Sequence, residues 1–154
     1  MAYGIKYRLQ GNILYFEITG SICNHIDLIA KYVACAISKW KTGNVLLDLR
    51  SANGRPGPGK LFIHVLRYPL FRHISCALID SKQNQEFISL YLKLMRHRGH
   101  RVEFFACPEE GEAWLATVAT NHTSAHGCAP LVSSGVPGKI LDTCVRTRAG
   151  SKLA

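Results

Sequence analysis

The chain has 154 residues, 47% of them hydrophobic and 19% charged, with a formal net charge of +9. That length holds one ordinary domain with at most a tail, and the apolar share is enough to bury a core. No apolar run is long enough to span a bilayer, and the first residues lack the apolar stretch and cleavage site of a secretory leader, so a membrane span and secretion are not expected.

Six cysteines stand at positions 23, 35, 76, 107, 128 and 144, scattered and without a CxxC pair. Cys35 and Cys76 fall inside apolar patterns, where a reduced thiol behaves as a small hydrophobe. We expect reduced thiols and a cytoplasmic location. The positive charge is spread along the chain, densest at Arg96, His97, Arg98, His100 and Arg101.

Residues 3–9 alternate, with Ile5, Tyr7 and Leu9 on one face and Lys6 and Arg8 on the other, which predicts a half-buried strand. A turn at 10–12 leads to a second β-rich run at 13–19, and so tight a connection predicts an antiparallel hairpin. Asn24 reads as a helix cap, with Asp27 three residues on. Ile26, Ile29, Ala30, Val33, Ile37 and Trp40 follow at helical spacing, with Tyr32 also expected in the core and Gly43 as the stop.

The run 45–49 (VLLDL) has the near-continuous apolar character of a covered central strand. A loop at 51–59 (SANGRPGPG) follows, then a helix from about Lys60 to Tyr68 with Leu61, Phe62, Val65 and Leu66 inward and Pro69 as its stop. A second covered strand at 75–80 (SCALID) precedes a helix over roughly 83–98 that ends at Gly99. The strand at 101–106 (RVEFFA) comes last, and Pro108, Glu109 and Glu110 open a final helix carrying Ala113, Trp114 and Leu115.

This order predicts an α/β fold: a mixed, mostly parallel sheet of about five strands with an N-terminal antiparallel hairpin and four helices. It occupies residues 1–118. Residues 119–154, rich in Gly, Ser, Thr, Pro and Ala, read as a flexible low-complexity tail.

The strings NVLLDLRSANG (44–54), SCALID, RHRGH leading into VEFF, and PEEGEAWL (108–115), taken in that order, resemble the SpoIIAA-like group of small STAS-type domains. The resemblance covers about residues 3–117 and implies the fold of the anti-sigma-factor antagonists. Antagonists of that type carry a phosphorylatable serine where the loop after the third strand enters the second helix. The corresponding stretch here, RPGPGKL (55–61), contains no hydroxyl, and Ser51 is the only one in the loop. The resemblance therefore extends to the fold and not to the phosphorylation switch.

Gly54, Gly59 and Lys60 satisfy most of a G-x-x-x-x-G-K phosphate cradle, but Leu61 stands where a magnesium-binding hydroxyl is needed. Pro56 and Pro58 also delete two N–H donors, so nucleotide hydrolysis is not expected. Arg55, Lys60 and the first turn of the second helix could still hold an anionic group. His122, His126 and Cys128, with Cys107 or Cys144, lack the paired spacing of a zinc site, and no metal is expected. The basic cluster 96–101 sits at a helix end without an interleaved aromatic stripe, so nucleic-acid binding is not expected. Asp48 and Asp80 end adjacent strands, with His64 and His73 nearby in sequence, yet no nucleophile signature accompanies them.

The expectation is thus a non-enzymatic regulatory or binding module with no cofactor and no catalytic residue. It would engage a protein partner or a small anionic or lipid-like ligand at the second helix and its loop, through Ser51, Asn53, Gly54, Arg55, Gly57, Gly59 and Lys60. The alternative is a small anion- or nucleotide-binding domain that uses Arg55 and Lys60.

Overall fold

The computed structural model describes residues 3–67 and 74–123, the last four by backbone alone. Strands β1 (Tyr3–Gln10) and β2 (Ile13–Ser21) pair antiparallel across their whole length, Tyr3 opposite Gly20 and Gln10 opposite Ile13. Gly11, at the hairpin turn, has φ +61°, a conformation that favours glycine. Helix α1 (Ile26–Trp40) follows, then β3 (Asn44–Asp48), the two-residue β4 (Ala52–Asn53) and α2 (Pro58–Arg67). Next come β5 (Ser75–Ile79), a 3₁₀ turn at Lys82–Asn84, α3 (Gln85–His97), β6 (Arg101–Phe105) and α4 (Pro108–Thr123).

The sheet order is β1-β2-β3-β5-β6, with β4 paired to β2 beyond the end of β3. Every pairing except β1–β2 is parallel. The fold is therefore α/β with a mixed, mostly parallel sheet, as the sequence predicts. β5 is an interior strand, between β3 and β6, with all five residues buried, which is why SCALI shows no polar alternation.

The two faces of the sheet are covered unequally. Leu14, Phe16, Ile18, Val45 and Leu78 meet Ile29 and Val33 of α1, Val65 of α2 and Met95 of α3 in the larger core. On the other face Tyr15, Leu46, Ala77 and Ile79 meet Leu115 of α4. The larger core leaves an apolar cavity of about 70 Å³ lined by residues such as Ile18, Ala30, Val45, Cys76, Leu78 and Tyr91. That is smaller than an engineered cavity of about 150 Å³ known to admit benzene. The buried Cys76 thiol has its pKa pushed up to about 12 by burial, so it stays protonated and packs as a hydrophobe.

Local details depart from expectation in four places. Asn24 does not cap α1; the cap position is His25, without a side-chain bond, because Asn24 and Asp27 are both drawn toward α2. The left-handed residue closing α1 is Lys41 (φ +50°), two positions before Gly43, and its N–H bonds the Ile37 carbonyl at 2.8 Å. Phe62 and Leu66 of α2 face outward, as does Tyr32 of α1. A helix crossing a sheet through Leu61, His64 and Val65 buries a stripe too narrow to include them. Finally, α4 runs past the boundary expected at 118, and the expected tail from residue 124 on lies outside the described residues, as does the stop expected at Pro69.

Gly111 sets how closely α4 lies on the sheet. A Cβ there would stand 2.8 Å from Ile79 Cδ1 and 3.1 Å from Ala77 Cβ, and a one-carbon side chain on a central strand cannot yield. Gly59, early in α2, has nothing within 4 Å of such a Cβ. The two glycines should respond with opposite signs in urea unfolding. Gly111→Ala is expected to lower stability by about 1–3 kcal/mol through overpacking. Gly59→Ala is expected to raise it by up to about 1 kcal/mol through helix propensity.

Candidate interaction surface around the loop after β3

The loop after β3 is pinned at each step. Asp48 accepts from the backbone N–H of Arg50 at 3.0 Å and grips its guanidinium, with Arg50 Nη2 2.7 Å from Asp48 Oδ2. Leu49 N–H bonds the Ile79 carbonyl, holding the exit of β3 beside β5. The chain then crosses to β2, where Gly20 N–H bonds the Ser51 carbonyl and Ile22 N–H that of Asn53. Gly54 turns back with φ +61°, and a Cβ there would lie 3.0 Å from Ser21 Oγ.

Arg55 then points inward. Its Nη2 meets Asp80 Oδ1 at 2.6 Å and its Nε meets Asp80 Oδ2 at 3.1 Å, the side-by-side geometry that makes an Arg–carboxylate pair strong. Its Nη1 donates to the Ala52 carbonyl and its Nη2 also to that of Leu49, both at 2.9 Å. The ring of Phe87 lies 5.8 Å from the guanidinium carbon. The Asp80 side chain is fully buried and also accepts from Ser81 N–H and Asn84 Nδ2. Four of the five guanidinium N–H bonds are thus committed within the protein.

The remaining loop residues lead into α2. Pro56 is buried under the loop, and Pro58 opens the helix at the position where a missing N–H costs nothing. Leu61 N–H bonds the Gly57 carbonyl at 3.0 Å. Gly57, Gly59 and Lys60 are exposed, and Lys60 Nζ donates to Asn24 Oδ1 at 2.7 Å.

The sequence-predicted residues do not converge. Ser51 is exposed and lines an open groove of about 750 Å³ with Lys6, Arg8, Tyr15, Asp48 and Glu112, beside α4. Lys60 reaches the start of α1, and Arg55 is turned into the protein, so the two cations are not aimed at one anion. In the groove, Tyr15 lies under the Arg8 guanidinium, 4.7 Å from its ring. Burial and the nearby Glu112 carboxylate push its pKa up to about 12.

Two features lay beyond sequence reasoning. The first is a cross-helix tie in which His64 Nδ1 donates to Asp27 Oδ1 at 3.1 Å, with Arg67 Nη1 3.5 Å from Asp27 Oδ2. His64 is buried, and that burial lowers its pKa although Asp27 pulls the other way. The second is an apolar surface. Leu28, Tyr32, Phe62, Ile63 and Leu66 are the large hydrophobic side chains left exposed among the described residues, and all five lie on α1 and α2. Among the described residues no group of His, Cys, Asp and Glu is arranged to hold a metal, and no helix is long and apolar enough to cross a membrane. His73, His126, Cys128 and Cys144 lie outside the described residues, and the side chain of His122 is likewise not described.

Comparison with known proteins agrees with this architecture. No family model and no curated protein matches the chain. Among solved structures, it is similar to an uncharacterized protein of the DUF3478 family from Shewanella loihica PV-4, described as having a SpoIIAA-like fold. The match has 16% identity and a TM-score of 0.50, and covers 73% of this chain and 93% of that one. The fold of the present chain is accordingly SpoIIAA-like.

Two outcomes follow from this geometry. Arg55→Ala leaves the buried Asp80 carboxylate without its counter-charge and should lower unfolding free energy in urea by about 3–5 kcal/mol. For His64, a folded pKa below the unfolded 6.5 means that the unfolded chain binds more protons as pH falls through that value. Stability should therefore decline below about pH 6.5, by at most about 1.4 kcal/mol per pH unit from this group. His64→Gln should flatten that part of the curve of melting temperature against pH.

Proposed function

We propose that the chain is a non-enzymatic STAS-type binding module of the cytoplasm that engages a protein partner through α2 and the loop before it. The observation that supports this best is the outward apolar face of α2. Phe62, Ile63 and Leu66 are 51%, 49% and 43% exposed on a helix whose inward side is already filled by Leu61, His64 and Val65. Clustered exposed side chains of this size mark interaction surfaces more than solvated ones. Of the loop residues, Gly57 leads into that helix and Gly59 and Lys60 lie in its first turn, Asn53 and Gly54 precede it, and Arg55 serves it from inside by fixing the loop to Asp80, whereas Ser51 faces the groove beside α4.

A protein partner accounts for these features better than a small ligand does. The apolar cavity of about 70 Å³ is too small for an acyl chain. An anion or nucleotide held by Arg55 and Lys60 would have to displace Asp80 from a buried ion pair. Free thiols at Cys23, Cys35, Cys76 and Cys107 accord with a reducing compartment.

The test is affinity purification of the full chain from its source cell, wild type against Leu66→Asp, with partners identified by mass spectrometry. A protein that co-elutes in stoichiometric amount should fall by about tenfold or more with Leu66→Asp, while the melting temperature stays within a few degrees. No such protein, or one whose recovery ignores the substitution, would refute the proposal, as would turnover of a substrate by the purified chain.

A further inference from the structure

Among the described residues, β1 and β6 form the two edges of the sheet. β6 is five residues long, whereas β1 runs for eight and pairs with β2 at every position, with no bulge, no proline and no left-handed residue before the turn. Edge strands are commonly shortened, kinked, broken by proline or charged, because a straight edge offers its backbone groups to any second strand. Of these devices β1 has only charge, on Lys6 and Arg8.

The register fixes which groups the edge offers. Gln10 lies opposite Ile13 across a two-residue turn, so Gln10 and, at every second position, Arg8 and Lys6 bond their backbones to β2. The N–H and C=O groups of Leu9, Tyr7 and Ile5 therefore point the other way, to the open edge. The side chains of these three lie half-buried against the larger core, while Lys6 and Arg8 are exposed and line the groove on the opposite face.

Toward an added antiparallel strand, Ile5, Tyr7 and Leu9 are the hydrogen-bonded positions. Lys6 and Arg8 are then the non-hydrogen-bonded ones, where facing side chains come closest. A second copy of this chain is a poor occupant. The two longest antiparallel registers that keep the apolar faces together set Lys6 against Lys6 or against Arg8, and like charges directly opposite repel. Residues 124–154 are no better matched in charge, with one acid, Asp142, against Lys139, Arg146, Arg148 and Lys152.

We infer that β1 receives an extended segment of a partner protein, added antiparallel to the sheet, in which apolar residues alternate with Asp or Glu. The apolar residues continue the row of Ile5, Tyr7 and Leu9, and the acids oppose Lys6 and Arg8. Main-chain bonds supply the affinity and the alternation supplies the selectivity, as in other strand-addition complexes. This surface is separate from α2, and the inference does not depend on the reading of that helix.

The experiment replaces the exposed Gln10 by a photo-reactive benzophenone amino acid in the full chain, in its source cell, and sequences the linked peptide. The expected peptide comes from another protein and carries Asp or Glu at alternate positions among apolar residues. The same peptide is then synthesised and added to the full chain. Amide hydrogen exchange should slow by about tenfold or more at Ile5, Tyr7 and Leu9, and stay unchanged at Lys6 and Arg8, which already bond β2. Lys6→Gln with Arg8→Gln should weaken binding by about three- to tenfold, and Lys6→Arg with Arg8→Lys should retain it.

Linkage to a second copy of this chain or to its own residues 124–154 would overturn the inference, as would a linked peptide without the alternation or no link at all. Exchange protection that does not alternate along β1, or affinity indifferent to the loss of Lys6 and Arg8, would do the same. Each of these outcomes leaves the reading of α2 standing, since that reading is tested through Leu66.

Discussion

The buried pair of Arg55 and Asp80 holds the functional end of the molecule in place. Asp80 follows the buried interior strand β5, and Arg55 lies in the loop that launches α2, so one ion pair joins the sheet's interior to the helix start. A carboxylate with no solvent exposure is tolerable only when its oxygens are matched, and here Arg55, Ser81 and Asn84 match them. The arginine in turn satisfies two loop carbonyls. Together with the backbone bonds from Gly20 and Ile22 to the Ser51 and Asn53 carbonyls, this arrangement keeps an otherwise Gly- and Pro-rich segment in one path and fixes where α2 starts over the sheet.

The proposed surface follows from that placement. α2 is held so that Leu61 and Val65 reach the core while Phe62, Ile63 and Leu66 do not. Polar ties to α1 occupy its shared edge, so the helix cannot roll inward to hide the remainder. The result is a surface both apolar and firmly placed, which lowers the ordering cost of association.

Most of the fold was legible in the chain because its signals are local. The alternation of Ile5, Tyr7 and Leu9, the unbroken VLL and SCALI runs, Gly99 with φ +82° at the end of α3, and Pro108 at the start of α4 each act within a few residues. The site was less legible. Phe62 and Leu66 have the spacing of core residues, and only the width of the stripe that the sheet accepts shows that they stay outside. Arg55 and Asp80 are 25 positions apart, and their pairing exists only once the loop lies over β5. Conversely Ser51 at the loop's start and Lys60 just past its end, in α2, lie on different sides of it: Ser51 in the groove by α4, Lys60 at the start of α1.

The small void under α1, α2 and α3 gives the two layers different mechanical character. Water can occupy that space when the chain opens, so the native form is the bulkier one and hydrostatic compression works against it. On the opposite layer Gly111 lets α4 settle directly onto Ala77 and Ile79, a contact too close to admit even one added methyl group. Compliance therefore lies directly beneath the helix proposed to meet a partner, while the close contact at Gly111 is on the face turned away from it.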